Sequence, residues 1–299
     1  MGARFLGIDG GGSSTRAWIL DESGQLVQEL RGGPSNVVVV GEARARQALD
    51  AIVKGDATYD GVVAGIAGAD RPWVRAFWES VLGGVSETVW VMGDYRIAWA
   101  ALTDGDPGLV AIFGTGSVFY AECGDTSLRI GGYGWKIGDV GSGIALGRHA
   151  VEAALGHMEG WAPATSLTEA VVDWAKARDK AELLNYIYRP DVDWRTVSDL
   201  AGQVFVLADR GDMVAEAILK DEAAKALRYL ETAHRAAGMP PASPTGLAGG
   251  LAHLWHPRLE EPWRELVGRP LVRVTREPVE GAARLARSLW GKQRQGGDA

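Results

Sequence analysis

The chain is poor in the residues that build redox, zinc and nucleic-acid sites. Its 299 residues include one cysteine, Cys123. An intramolecular disulfide is therefore excluded, and the count argues against a cysteine-ligated zinc or an iron–sulfur cluster within one chain. Histidines 149, 157, 234, 253 and 256 show no ligand spacing; His253 and His256 stand three apart without further partners. Lys and Arg together number 31 against 38 acidic residues, a net charge of -7 with no basic cluster, which argues against nucleic acid as a partner. No apolar run approaches the roughly 20 residues that cross a bilayer. The chain enters a strand at once, with no signal-peptide core, so a cytoplasmic protein with no membrane partner is expected. Lysine and asparagine are scarce beside arginine, a bias that heat adaptation and a GC-rich genome both produce.

What is present is glycine, 41 residues, placed in two copies of one device. Residues 7–17 read Gly-Ile-Asp-Gly-Gly-Gly-Ser-Ser-Thr-Arg-Ala, and 111–121 read Ala-Ile-Phe-Gly-Thr-Gly-Ser-Val-Phe-Tyr-Ala. Each is an apolar strand, a glycine-rich hairpin turn and a second strand. Around them the pattern gives strands at 4–9, 16–20 and 25–30, a helix at 41–53, a strand at 61–67, a helix opened by Pro72, a strand at 87–92 and a helix at 95–102. The breaker cluster Thr103 to Gly108 then separates a second round. That round has strands near 109–113, 117–123 and 127–130, mostly helix over 139–236, short strands at 245–248 and 271–274, and a closing helix at 279–290 before a polar, fraying tail. Two meanders, each followed by helices and strands, mean two α/β domains of common plan with a central interdomain cleft. The expected domains are 1–103 and 104–278, with the closing helix able to pack back on the first.

A phosphate needs converging backbone N–H groups, and glycine lets the backbone approach. Gly10, Gly11 and Gly12, with the hydroxyls of Ser13, Ser14 and Thr15, suit that need, as do Gly114, Thr115 and Gly116. The segment is not a Walker loop, because no Gly-Lys-Ser/Thr follows. It is not a dinucleotide fingerprint, because a strand comes next. A plain glycine hairpin is the alternative for one copy alone. Asp9 ends its strand where a carboxylate would meet Mg²⁺ carried by a triphosphate, or would simply be a turn residue. Asp94 follows a strand and precedes a helix, as a general base facing a crevice or as a helix cap. Asn36 offers donor and acceptor to sugar hydroxyls, or turn chemistry. Residues 131–143 hold six glycines with Tyr133 and Trp135 beside Asp139, read as a packed aromatic platform for a sugar, with capping again the alternative for Asp139. Gly249 and Gly250 follow a strand, either for a flat adenine to approach or as a tight turn. Trp73, Trp78, Trp90 and Trp99 read as core.

In this order and spacing the motifs resemble the actin-like ATPase superfamily, with its ribonuclease H-like domains. Within it the chain is similar to the group holding N-acetylglucosamine kinases and ATPases of the BadF/BadG/BcrA/BcrD type, from Gly7 to about Leu289. The resemblance implies an ATP-dependent sugar kinase, acting on the 6-hydroxyl of N-acetylglucosamine, or on glucosamine or glucose, with Mg²⁺ as cofactor and a homodimer as the assembly. Ser13 and Thr115 would contact phosphates. Asn36, Asp94 and Asp139 would bind sugar hydroxyls, Asp94 as base. Ser117, Val118, Gly132, Tyr133 and Gly134 would line the sugar pocket, and Ala208 would lie near the nucleotide. The alternatives from other classes are a partner-dependent ATPase activator, disfavoured by the single cysteine, and a regulatory protein, disfavoured because no DNA-reading motif precedes the first strand.

Overall fold

The computed structural model describes residues 2–53 and 58–296. The last residues of the expected tail, 297–299, lie outside the described residues. The chain divides into two compact units, Met1–Val110 with Glu122–Gly124 and Val274–Ala299, and Ala111–Ala121 with Asp125–Arg273.

In the first unit a meander of β1 (Arg4–Gly10), β2 (Thr15–Asp21) and β3 (Leu26–Gly32) leads into short α1 (Val37–Val40) and α2 (Glu42–Asp50). Then come β4 (Gly61–Ile66), α3 (Pro72–Leu82), β5 (Val89–Gly93) and α4 (Asp94–Thr103). The sheet order is β3-β2-β1-β4-β5, antiparallel through the meander and parallel from β1 to β5. Parallel strands need both faces covered, which is why β1 and β4 read as nearly unbroken apolar runs. Leu6, Ile8, Val62, Ala64 and Ile66 bury against Trp78 and Leu82 of α3. Four consecutive valines form α1, although β-branched residues favour strands. The Asn36 side chain makes this possible by accepting the Val38 N–H at 3.1 Å, a cap that the periodicity does not reveal.

The second unit repeats the plan. It is built on β6 (Gly108–Phe113), β7 (Ser117–Cys123) and β8 (Thr126–Gly131), followed by helices α5 (Gly143–Glu159), α6 (Leu167–Ala175) and α7 (Lys180–Ile187). A 3-10 turn at Trp194–Leu200 precedes α8 (Ala201–Asp209) and α9 (Met213–Ala236); β9 (Thr245–Ala248), α10 (Ala252–Val267) and β10 (Leu271–Arg273) complete it. Its sheet runs β8-β7-β6-β9-β10, the first sheet's order restated. The correspondence reaches single residues. Gly65-Ile66-Ala67-Gly68 ends β4 and Gly246-Leu247-Ala248-Gly249 ends β9, and the final glycines have φ of 88° and 90°. An aromatic stack forms the core: Phe113 meets Phe119 at 5.5 Å and Trp255 at 5.7 Å, and Phe205 meets Trp255 at 5.1 Å.

Two expectations are corrected. Trp73 is half exposed on α3, because it faces away from the strands that bury Trp78. The closing helix α11 (Pro278–Gly296) continues past Trp290, where Arg294 stacks on that ring at 4.8 Å and holds the final turns. This helix packs on β1 and α4 at backbone distance. A Cβ on Gly281 would sit 2.3 Å from the Ile97 carbonyl, and one on Gly7 2.2 Å from the Ala283 nitrogen.

Gly281→Ala therefore forces α11 away from α4 and is expected to destabilise by about 2–3 kcal/mol. Gly291→Ala on the same helix meets nothing within 4 Å. It is expected to stabilise by about 0.5–1 kcal/mol through helix propensity alone. Calorimetric melting of the two variants checks this; equal shifts would remove the close packing as their cause.

Candidate active site

The first unit assembles its candidate residues at the carboxyl ends of β1 and β5. The turn after β1 closes with Gly11 N–H donating to the Ser14 carbonyl at 3.0 Å. The Gly11 carbonyl accepts the N–H groups of Ser35 and Asn36, at 3.0 and 3.1 Å. The Gly10 carbonyl accepts Ala67 N–H at 2.9 Å. The buried Thr15 hydroxyl donates to the Gly33 carbonyl at 2.7 Å, so it fixes the Asn36 loop to the hairpin. Gly12, Ser13 and Ser14 remain exposed, and nothing lies within 4 Å of a Cβ on Gly12.

Asp94 is the first residue of α4, with Gly93 in the cap position, so it is not the helix cap. Its carboxylate accepts the Tyr95 N–H at 3.0 Å and stays exposed. It is close enough to Asp9 to change that group's ionisation. Burial, and then the negative charge of Asp94, push Asp9 from its ordinary 3.8 up to about 6. Arg16, opposite Asp9 in the ladder, opposes this but is shared. Its guanidinium is held by Glu277 at 2.7 Å and Glu29 at 3.1 Å. Asp9 thus sits beside a second carboxylate, while the guanidinium nearest it is already engaged by two glutamates.

The second unit places its loops by a different set of contacts. Gly114 N–H donates to the Gly116 carbonyl at 2.9 Å, closing the turn. The Gly114 and Thr115 carbonyls accept Gly143 and Ile144 N–H groups, at 2.8 and 3.2 Å, so the start of α5 holds the loop from behind. Ser117 donates its hydroxyl to the Val140 carbonyl at 2.7 Å. Ser142, not Asp139, caps α5. Asp139 is buried and instead accepts the Gly134 N–H at 3.1 Å. Burial raises its carboxyl above the ordinary carboxylate value, against the opposing bonds from the Gly134 and Ser117 N–H groups. Gly249 lies against β6 so closely that a Cβ would be 2.3 Å from the Phe113 carbonyl; Gly250 is open. Arg129 donates to the Gly132 carbonyl, with Val118 beside Gly132. Tyr133, Trp135 and Ile137 are exposed by 61%, 42% and 79%, which corrects the packed reading: the positive-φ glycines around them turn the segment outward. Ala208 lines a groove of about 590 Å³ with Leu219, Lys220 and Arg258, and neither Gly249 nor Gly250 lines it.

Two residues that periodicity missed hold the segment carrying Asp139. Glu222 of α9, 3% exposed, accepts the Gly141 N–H at 2.6 Å. Trp255 donates to the Gly141 carbonyl at 2.7 Å. Burial would raise the Glu222 carboxyl. The His149 ring, Lys225 at 2.8 Å and the Gly141 N–H outweigh burial and hold it at about 2. In the sequence Glu222 looks like any charge on a long helix, and no signal marks it.

With this geometry in place, the comparison with known proteins is direct. The family model described as BadF/BadG/BcrA/BcrD ATPase matches residues 6–286. The chain belongs to this family. An N-acetylmuramic acid/N-acetylglucosamine kinase of Clostridium acetobutylicum is 32% identical over 229 residues, covering 73% of this chain and 75% of its own. A glucosamine kinase of Vibrio cholerae is 27% identical over 299 residues, covering 94% of this chain and 95% of its own. The crystal structure of a candidate N-acetylglucosamine kinase of Chromobacterium violaceum superposes with a TM-score of 0.79 at 25% identity, covering 95% of this chain and 99% of that one. Membership of an ATPase family carries ATP use. Among the described residues no helix is long and apolar enough to cross a membrane, and no cluster of three metal-ligating side chains occurs.

Two stability predictions follow from the charges. Asp9 titrates higher folded than unfolded, so its penalty is absent below about pH 4 and complete above about pH 6. Asp9→Asn should stabilise the ligand-free protein at pH 7.5 by up to about 2–3 kcal/mol, seen as a higher melting point, with the gain vanishing at pH 4. Melting curves across pH 4–8 decide it; a loss at neutral pH would mean that Asp9 is already compensated. Glu222 behaves oppositely. Its stabilisation is present above its ordinary 4.5 and is lost as pH falls toward 2. Glu222→Gln should cost roughly 2–3 kcal/mol at pH 7 and narrow the gap to wild type below pH 4. A gap constant with pH would leave shape, not charge, as the cause.

Proposed function

We propose that the chain is an ATP-dependent kinase of an amino sugar, N-acetylglucosamine foremost, transferring the γ-phosphoryl group to its 6-hydroxyl. One observation carries the reading. Asp94, at the start of α4, shares an electrostatic site with Asp9 beside a glycine turn whose outer amides and hydroxyls are free for phosphate. The names of the relatives support the same acceptor. Glucosamine is the second acceptor, favoured by the relative that covers 94% of the chain.

Phosphoryl transfer asks the protein mainly to position groups and balance charge. Asp94 would orient the acceptor hydroxyl and take its proton. Gly10 to Ser14 and Gly114 to Gly116 would hold the phosphates through N–H groups and hydroxyls. Asn36 would meet sugar hydroxyls through its NH₂, since its oxygen is committed to Val38. Asp139, Ser117, Val118 and Gly132 to Gly134 would shape the rest of the acceptor pocket, with Gly249, Gly250 and Ala208 toward the adenosine. The site fits a divalent cation, because Asp9 is raised by burial and by Asp94, a penalty that positive charge removes. Asp9 would hold Mg²⁺, directly or through water, and the ion would neutralise the triphosphate when bound.

The deciding experiment is ADP release from Mg-ATP with N-acetylglucosamine, glucosamine, N-acetylmannosamine, glucose and no sugar. Strong stimulation by N-acetylglucosamine is expected. Hydrolysis indifferent to every sugar would replace the kinase with a partner-dependent ATPase. Asp94→Asn should lower the sugar-dependent rate by roughly 10²–10⁴ while ATP binding persists. Near-native turnover of that variant would remove Asp94 as base.

A further inference from the structure

We infer that Asp70 and Tyr95 are positioning residues of the transfer reaction: the hydrogen bond between them sets the first turn of α4, and through it the place of the Asp94 carboxylate. This rests on the amino-sugar kinase reading, with Asp94 as base.

The geometry lies wholly in the first unit. Strands β1, β4 and β5 run parallel, and Gly10, Ile66 and Gly93 pair across their carboxyl ends. The loop after the middle strand, Ala67 to Arg71, therefore borders the elements on either side. It is wound tightly on itself, with Ala69 N–H on the Ile66 carbonyl at 3.0 Å and Arg71 N–H on the Gly68 carbonyl at 3.1 Å. On the β1 side, Ala67 N–H donates to the Gly10 carbonyl at 2.9 Å, behind the glycine turn. From the point where a Cβ on Gly68 would sit, Asn36 Oδ1 is 3.8 Å away. On the β5 side, the Tyr95 hydroxyl donates to Asp70 Oδ1 at 2.6 Å. One short loop thus meets the phosphate turn, the acceptor amide and the residue that follows the base.

Helix α4 needs such an anchor. A carboxylate on the first residue of a helix moves with a turn that frays when nothing holds it. Gly93, in the cap position, makes no side-chain capping bond. Tyr95 takes over that task from inside the helix. Its N–H donates to the Asp94 carboxylate at 3.0 Å, and its hydroxyl reaches across 25 positions of chain to Asp70. A hydroxyl that donates to a carboxylate makes a stronger bond than a neutral pair does. The Tyr95 ring lies over Gly93, where a Cβ would be 2.4 Å from Cε1. Gly93 has φ -62°, which any residue adopts, so the space taken by the ring, not the backbone angle, asks for glycine. Placement counts steeply in such a reaction: a shift of about 1 Å costs about 10²-fold in rate.

The test reads kcat and KM for Mg-ATP and for N-acetylglucosamine, well below each variant's melting point. Tyr95→Phe keeps the ring on Gly93 and removes only the hydroxyl. Tyr95→Phe and Asp70→Ala should each lower kcat by about tenfold, with KM for Mg-ATP within about twofold of wild type. The double variant should lose no more than either single one, because all three remove one bond. Asp70→Asn keeps an acceptor oxygen and should recover most of the rate. In an Asp94→Asn background, Tyr95→Phe should change the residual rate by less than about twofold, since the group it positions is already gone. An unchanged kcat in Tyr95→Phe would overturn the inference. So would a further tenfold fall in the Asp94→Asn background, or losses that multiply in the double variant; the pair would then support the fold without placing the base. Near-native turnover of Asp94→Asn would remove the base and this inference together, with the kinase reading left standing. No turnover of any sugar would remove the kinase reading itself.

Discussion

Everything in the proposed site depends on holding a bare backbone turn in place without side chains. A turn meant to receive phosphate must leave its outer N–H groups unengaged, so its carbonyls have to be fixed from behind. The two units meet this demand in parallel. In the first, the Gly11 carbonyl takes two N–H groups from the Asn36 loop and the Gly10 carbonyl takes one from Ala67. In the second, the Gly114 and Thr115 carbonyls take the first N–H groups of α5. The turns are therefore held by their neighbours. In the first unit that neighbour carries Asn36, whose N–H bonds the Gly11 carbonyl; in the second, Asp139 lies just before the helix that holds the turn.

Charge is distributed unevenly over this scaffold. Around Asp9 the structure places the negative charge of Asp94 and ties the guanidinium of Arg16 to two glutamates. Stability is given up there, and a bound cation would restore it. Around Glu222 the opposite holds. The buried carboxylate is over-satisfied by Lys225, His149 and the Gly141 N–H, and it stabilises the fold. One acid is kept frustrated at the candidate metal site and the other fully paired at a structural clamp, as expected where function and stability compete.

The duplication was legible in the glycine turns, and the strands that follow from period-two and apolar patterning fell close to their observed places. Asp9 and Asp94 stood out because strand ends followed by turns are where side chains reach ligands, whereas Asn36 read as turn chemistry until the family resemblance placed it. The second repeat, Gly-Ile-Ala-Gly after β4 against Gly-Leu-Ala-Gly after β9, was equally open to inspection but has meaning only once both strands occupy the same sheet position. Helix α1 was hidden by its valines. Trp73 was misread because it stands five residues before Trp78, about 140° around the helix, which puts it on the outer face.

The sequence alone determined the fold class, the duplicated plan, the family and the two glycine turns, because those are local: glycine frees the backbone, and apolar periodicity sets each element. Only the tertiary structure decided which carboxylate is strained and which is clamped. Asp9 and Asp94 lie 85 positions apart, as their numbers show, and Glu222 reaches Gly141 across 81. Ionisation depends on burial and on charges brought together by folding. No spacing along the chain encodes either one.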